Sequence, residues 1–173
     1  VGVIVGGQEA LEGFRGLQVR FPASYELEYV VSCKGDLLAE FQNLADMIDR
    51  SGLELASIAV CPSVDRQSTP PGSEWPQCPP LADIYTAARH CFPGMRLGGG
   101  MFSYFTELNR KRPPVSLLDF VTHATNPIVH AADDESVLET LETLPHITRT
   151  ARAIIGKDKE YRLGPTTIGM RQN

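Results

Sequence analysis

The sequence lacks the features that mark several large protein classes. Its four cysteines, Cys33, Cys61, Cys78 and Cys91, form no C-x-x-C pair, which disfavours a disulfide framework and fits a reducing cytoplasm. No apolar run approaches the roughly 20 residues of a membrane span. A net charge of −5 argues against electrostatic binding to nucleic acid or to an anionic membrane. We therefore expect a cytoplasmic protein with neither of these partners.

Common catalytic signatures are missing as well. The chain has no Gly-x-Ser-x-Gly elbow, which disfavours a serine hydrolase of the α/β-hydrolase type. The run Gly98–Gly100 is not followed by the Lys-Ser/Thr of a phosphate-binding loop, so close backbone approach explains it better. His123, His130 and Asp133 could form a metal site, but no HExxH or similar spacing supports one. We predict no metal and no cofactor.

Apolar periodicity predicts an alternation of strands and helices. The predicted order requires a mostly parallel sheet with helical crossovers, and therefore an α/β fold built from parallel βα repeats. Predicted strands cover residues 25–32, 53–61, 95–99, 117–125 and 160–169, and predicted helices cover 36–50, 80–91 and 136–155.

Several residues mark the expected helix boundaries. Asp36 is suited to cap the start of the first of these helices, and Gly52 to end it. Ser136 and Glu139 have the spacing of a capping box at the start of the last helix. Pro145 should kink that helix.

The first 25 residues depart from this alternation. Both VGVIVGG and LQVRF have the composition of strands, yet little chain separates Arg20 from the strand that begins at Tyr25. Parallel neighbours need a crossover of about a dozen residues. We therefore expect this segment to be a truncated or rearranged unit.

The connections that follow the strands are long, whereas those that precede them are short. Long connections cover residues 62–79, 98–116 and 126–135, although loops in compact domains have a median of about 4–6 residues. Long loops at one edge of a parallel sheet indicate its carboxyl edge, where α/β folds build their functional sites.

Glu107 is the first candidate for chemistry at this edge. A carboxylate there can act as a general acid, a general base or a nucleophile. Asn109 and Arg110 could orient it or hold a substrate oxygen. The alternative is a solvated short helix in which Glu107 pairs with Arg110 or Lys111.

His123 is the second candidate, at the tip of a predicted strand, where a histidine can transfer a proton or stabilise an oxyanion. We expect it to share one cavity with Glu107. Asn126 and His130 follow in the next loop, and Arg171 lies near a later strand end; all three are candidates for substrate binding. Asp133 and Asp134 are better explained as helix N-terminal charges.

Four segments, YFTELNRKRPP, DFVTHATNPIVHAADDESVLETLE, ARAIIG and GPTTIGMRQN, resemble the D-apionate lactonase family. The resemblance spans roughly residues 26–173 and is strongest from Gly98 onward. It implies a glycosidase-type (β/α)8 TIM barrel that opens D-apionolactone to D-apionate in sugar catabolism. It also implies that residues 1–173 are a single α/β unit from the middle of a larger barrel.

We therefore predict a hydrolase that opens a sugar-acid lactone, with Glu107 or His123 activating water. The alternatives are a glycoside hydrolase, which needs a second carboxylate about 5–10 Å away, and a non-catalytic carbohydrate-binding or scaffold domain. A partial barrel leaves strand edges open, so we also predict an inactive fragment whose edges either pair with a second copy or are covered by its own N-terminal segment.

Overall fold

The computed structural model describes residues 2–4, 7–128 and 131–169. Within these ranges the strands are β1 (Gly2–Ile4), β2 (Glu26–Val31), β3 (Ser57–Pro62), β4 (Arg96–Tyr104), β5 (Phe120–Thr125) and β6 (Glu160–Thr166). The α-helices are α1 (Gln8–Arg20), α2 (Leu37–Ser51), α3 (Leu81–Cys91), α4 (Phe105–Lys111), α5 (Asp134–Leu141) and α6 (Leu144–Ile155).

The described strands form one parallel sheet in the order β1-β2-β3-β4-β5-β6, which is also their order along the chain. Each strand is followed by helical structure before the next parallel strand begins. The predicted α/β fold of parallel βα repeats is therefore confirmed. β1 and β6 are the edges of the sheet, and the pairing of these edges with a second copy stays a prediction.

The sheet is curved, and polar side chains meet across its concave face. Arg162 of β6 forms an ion pair with Glu26 of β2, although three strands lie between them. The same guanidinium donates to Ser57 Oγ at 3.0 Å and lies 3.7 Å from the centroid of the Phe120 ring. All of these residues lie near the amino ends of their strands, so this network fills the lower part of the concave face.

The convex face carries the larger core. Alternate residues of the central strands point towards the helices, where Phe41, Leu44 and Ile48 form the buried face of α2. Asp36 caps this helix through a 2.7 Å hydrogen bond from Ala39 N, and Gly52 ends it in the left-handed conformation, both as predicted. Within the described ranges, none of the helices offers the length and apolar character that a bilayer span requires.

The prediction of a strand at LQVRF was wrong, because this segment forms the last turn of α1. Leu17, Val19 and Phe21 are exposed, whereas Gln18 is buried and bonds the backbone N–H and C=O of Glu54. The exposed apolar residues gave the segment its strand-like composition. Because α1 supplies the crossover between β1 and β2, the first 25 residues contain an ordinary βα unit.

The last predicted helix is two helices. α5 ends at Leu141, and Pro145 lies in the first turn of α6, where a proline is tolerated; the predicted kink is therefore a break. The capping box was also wrong, because Asp133 is the N-cap and its carboxylate accepts from Ser136 N at 2.9 Å. The assignment of Asp133 and Asp134 to a helix N-terminus is confirmed.

β4 is longer than the predicted strand, and its glycines make room for neighbours. A Cβ atom at Gly98 would overlap the Phe120 ring, and one at Gly99 would lie 2.7 Å from the Tyr85 ring. Gly100 has a φ of +129°, and a Cβ atom there would overlap the carbonyl oxygen of Thr122. The close approach of neighbouring atoms to the backbone of β4 therefore explains these glycines, as predicted.

We expect Gly100→Ala to lower the free energy of unfolding by about 3 kcal/mol, because it combines an unfavourable φ with a clash against backbone. Gly13→Ala is the matched control: Gly13 lies in α1, and nothing lies within 4 Å of the added methyl group. That change should raise stability by about 0.5–1 kcal/mol. Urea denaturation of both variants tests this, and equal effects would contradict it.

Candidate active site

Glu107 lies at the carboxyl edge of the sheet, in the short helix α4 that begins directly after β4. Its side chain is 0% exposed. The carboxylate oxygen Oε1 accepts hydrogen bonds from Ser68 Oγ at 3.1 Å and from Arg110 Nη1 at 2.5 Å. The predicted pairing of Glu107 with Arg110 is therefore present, with a fully buried carboxylate and an Arg110 side chain that is 29% exposed.

Lys111 and Asp65 complete a buried charge cluster. Lys111, whose side chain is 2% exposed, forms an ion pair with Asp65, and its Nζ lies 3.6 Å from Glu107 Oε2. Asp65 follows β3, and its carbonyl oxygen accepts from Ser103 Oγ of β4 at 3.0 Å. Burial raises the pKa of Asp65, and the Lys111 ion pair opposes that shift. Two buried carboxylates are thus balanced by the buried Lys111 and the partly exposed Arg110.

One oxygen of this cluster has spare acceptor capacity. Within the described residues, Glu107 Oε2 is buried and accepts no hydrogen bond; its nearest cation is Lys111 Nζ at 3.6 Å. A buried carboxylate oxygen without a hydrogen bond is unfavourable unless water or a ligand supplies one. Glu107 Oε2 therefore has an open acceptor position next to Lys111.

His123 is 0% exposed and both ring nitrogens have partners. Nδ1 lies 2.9 Å from the carbonyl oxygen of Ala124, and Nε2 lies 2.7 Å from Tyr161 Oη. A carbonyl only accepts, so Nδ1 carries the proton and Nε2 accepts from the tyrosine hydroxyl. Burial lowers the pKa of His123, and the bond to Ala124 opposes this more weakly. This geometry favours a neutral, positioning histidine.

A cavity of about 630 Å³ lies beside the charge cluster, between α4, the ends of β5 and β6, and the turn that joins α5 to α6. Apolar side chains and threonine residues form most of its wall. The lining residues are Ser68, Pro70, Tyr104, Phe105, Thr106, Arg110, Thr125, Asn126, Pro127, Thr140, Leu141, Thr143, Leu144, Ile147 and Thr166.

The expectation that Glu107 and His123 share one cavity was wrong, because neither side chain lines it. Ser68 and Arg110 lie between Glu107 and the cavity, and both are bonded to its carboxylate. Phe105 lines the cavity and stands next to His123, with ring centroids 5.7 Å apart. Glu107 and His123 therefore contact side chains that line the cavity, but they do not line it themselves.

The predicted substrate-binding residues divide into three groups. Arg110 and Asn126 line the cavity, and Asn126 is 9% exposed with an Oδ1 atom that has no hydrogen-bond partner within the described ranges. Asn109 is exposed and accepts from Arg112 at the end of α4, away from the cavity. His130 and Arg171 lie outside the described residues.

Sequence reasoning missed Asp65, Ser68 and Tyr161 as parts of this site. Asp65 and Ser68 follow the tip of β3 just as Glu107 follows the tip of β4, and this shared placement was the available signal. Tyr161 lies near the amino end of β6, where no pattern marked it. Two of the three residues suggested for a metal site have other partners in the structure. Asp133 caps α5, and His123 bonds Ala124 and Tyr161.

The parallel sheet, its curvature and the alternation of strands with helices define part of a (β/α)8 barrel, with a buried charge cluster at its carboxyl edge. The D-apionate lactonase TIM-barrel-domain family matches residues 5–173, and this chain belongs to that family. A D-apionate lactonase from Brucella anthropi is 57% identical over 164 residues, which are 95% of this chain and 27% of that protein. The chain thus spans about a quarter of the length of this relative.

Solved structures support the same fold. A fungal β-1,4-galactanase aligns with 99% of this chain and 64% of its own, with a TM-score of 0.60 and 11% identity. An α-L-arabinofuranosidase from Bifidobacterium longum aligns with 91% of this chain and 38% of its own, at a TM-score of 0.51 and 14% identity. At such identities the likeness shows the fold alone, and the predicted TIM-barrel-like fold is confirmed.

The lowered pKa of His123 predicts how stability depends on pH. Between its folded pKa and the ordinary value of 6.5, the unfolded chain binds a proton that the folded chain does not. The contribution of neutral His123 to the free energy of unfolding is therefore fully present above about pH 6.5. It decreases as the pH falls below that value. Denaturation at pH 7.5 and 5.5 should show a smaller loss of stability in His123→Gln than in wild type. An equal loss would contradict this assignment.

Proposed function

We propose that the full-length protein hydrolyses the lactone ring of a sugar acid of the D-apionolactone type, and that this chain contributes part of its active site. Family membership and the 57% identity to a D-apionate lactonase support this proposal. We further propose that the chain is the middle of a larger barrel and that the protein is cytoplasmic. Its four free cysteines support that location.

The observation that carries the proposal is the buried Glu107 carboxylate, with one unbonded oxygen, beside a cavity that offers a cation and an unpartnered amide oxygen. A lactone needs a base for water, positive charge for the carbonyl oxygen and acceptors for its hydroxyl groups. Glu107 supplies the base, Arg110 supplies the positive charge, and Asn126 supplies an acceptor for a hydroxyl group.

In the proposed reaction, Glu107 takes a proton from water while the water oxygen bonds to the lactone carbonyl carbon. Negative charge moves to the carbonyl oxygen, where Arg110 stabilises it. As the tetrahedral intermediate collapses, the bond from the carbonyl carbon to the ring oxygen breaks, and Glu107 returns its proton to that oxygen. The product is an open-chain hydroxy acid.

This reaction requires water to reach Glu107 through the side chains that now cover it. Ser68 and Arg110 both line the cavity and both bond Glu107 Oε1, so we propose that movement of these two side chains opens the path to the carboxylate. We assign His123 a positioning role, because its neutral ring packs against Phe105, which lines the cavity, in a tilted arrangement with the ring centroids 5.7 Å apart. Asn126 would accept a hydrogen bond from a sugar hydroxyl.

Glycoside hydrolysis requires two carboxylates that flank one substrate. Asp65 lies close to Glu107, since both contact Lys111, but Asp65 is buried in that ion pair and does not line the cavity. Within the described residues the cavity lining contains no aspartate or glutamate, and the likeness to glycosidases shows only the fold. Assay of the full-length protein against a panel of aldonolactones and aryl glycosides, with and without a chelator, separates the two reactions. Turnover of glycosides alone would overturn the lactonase proposal.

We expect Glu107→Gln in the full-length enzyme to lower kcat by about 100-fold or more, because the amide keeps the shape of the side chain but cannot accept the proton. The matched control is Glu142→Gln, which changes an exposed glutamate between α5 and α6. Thermal denaturation of both variants checks that they are folded. Near-normal turnover by a folded Glu107→Gln variant would exclude Glu107 as the base.

We expect Asn126→Ala to raise KM for the lactone by roughly 3–10-fold with a smaller change in kcat, since it removes one neutral hydrogen bond to substrate. Asn109→Ala is the control, because Asn109 bonds Arg112 at the end of α4 and does not reach the cavity. Initial rates over a range of lactone concentrations distinguish the two. An unchanged KM in Asn126→Ala would remove this residue from the binding site.

A further inference from the structure

Two cysteines that are distant in sequence lie side by side near the carboxyl edge of the sheet. Cys33 follows β2, Cys78 precedes α3, and their Sγ atoms are 3.6 Å apart. A disulfide bond has an S–S distance of about 2.05 Å, so the sulfurs need to approach by only about 1.5 Å. Both side chains are half-buried, which leaves them within reach of a small reagent.

The backbone at Cys33 and at Cys78 can shift enough to bring the two sulfur atoms together. Cys78 lies in the proline-rich segment 67–80, which forms neither helix nor strand. Cys33 also lies outside the regular elements, in the loop between β2 and α2, where its φ is +60°. A shift of about 1.5 Å in either segment therefore breaks no ladder of the sheet and no turn of a helix.

The other two thiols have different surroundings. Cys61 is fully buried on the concave face of β3, where its Sγ contacts the carbonyl oxygen of Pro62 at 3.6 Å. Cys91 ends α3, and its Sγ lies 3.9 Å from the carbonyl oxygen of Leu38. Within the described ranges, the contact between two sulfur atoms is the one formed by Cys33 and Cys78.

We propose that Cys33 and Cys78 are a redox modification site, and that they form a reversible intramolecular disulfide by exchange with a low-molecular-weight disulfide such as oxidised glutathione. The Cys33 thiolate attacks one sulfur of the reagent, giving a mixed disulfide and one released thiolate. Cys78 then loses its proton and attacks Cys33 Sγ, which releases the second thiolate. Two protein thiols lose two electrons, and one reagent disulfide gains them and two protons.

The surroundings of Cys78 disfavour its thiolate form. Burial and the neighbouring Cys33 raise the pKa of Cys78 to about 12, so little of its thiolate is present at neutral pH. The slower second step should accelerate as the pH rises. Once formed, the bond closes a loop of about 45 residues and should stabilise the folded chain.

The disulfide would also fix the segment that covers Glu107. Ser68, near the start of segment 67–80, donates to Glu107, and the carbonyl oxygen of Thr69 accepts from Arg110 at 3.2 Å. We therefore expect oxidation to change lactone turnover, and this consequence alone rests on the proposed function. The formation of the bond does not depend on it.

The test uses the full-length protein incubated with excess oxidised glutathione and digested without reduction. Mass spectrometry should find a peptide pair joined through Cys33 and Cys78 in wild type and in the control Cys91→Ser. Cys33→Ser and Cys78→Ser should lack this pair, and either variant suffices if the other does not fold. The oxidised wild type should melt several degrees higher than the reduced protein, and reduction should reverse the shift.

The proposal is overturned if Cys33 and Cys78 remain free at equilibrium, or if either joins Cys91 or a second chain instead. The activity assay separates the two claims. A protein that forms the bond but hydrolyses no lactone would refute the proposed function and leave the redox site standing. A lactonase whose two thiols stay reduced would refute the redox site alone.

Discussion

The ion pair between Arg162 and Glu26 joins strands that are four places apart in the sheet. A flat sheet would hold these side chains nearly 20 Å apart at the usual strand spacing, so the contact requires strong curvature. The guanidinium also lies on the Phe120 ring, which in turn occupies the space above Gly98. These contacts fix the lower part of the concave face, at the end of the sheet opposite to the carboxyl edge that carries the site.

The charge cluster at the other end of the sheet follows from the same arrangement. Asp65 comes from the turn after β3, whereas Glu107, Arg110 and Lys111 come from the helix after β4. Adjacent parallel strands bring these two segments together. Burying charges is unfavourable unless each has a partner, and here acids and bases from neighbouring loops alternate. The cluster therefore holds Glu107 in place while leaving one of its oxygens unbonded.

Local patterns predicted most of the fold because its repeats are regular. Asp36 and Gly52 marked the limits of α2, and the buried strand β3 appeared as a nearly continuous apolar run. The errors occurred where tertiary contacts override local composition. Leu17 and Val19 are apolar but exposed, and Asp133 caps α5 in competition with the Ser136–Glu139 pattern.

The candidate site was predicted only in part, for a related reason. Strand order placed Glu107, Arg110 and Asn126 at the carboxyl edge, and this much depends on topology. The direction of each side chain depends on the pleat and on partners distant in sequence. His123 turns towards Tyr161, 38 residues further along the chain, and no local spacing could show that contact.

The glycines of β4 have a consequence for how this sequence can change over time. The Phe120 ring fits only while position 98 lacks a side chain, and the Tyr85 ring stands in the same relation to position 99. In each pair, a substitution by a larger side chain at one position requires a smaller side chain at the other. Among related sequences we therefore expect covariation between positions 98 and 120, which join β4 to β5. We expect the same between positions 85 and 99, which join α3 to β4.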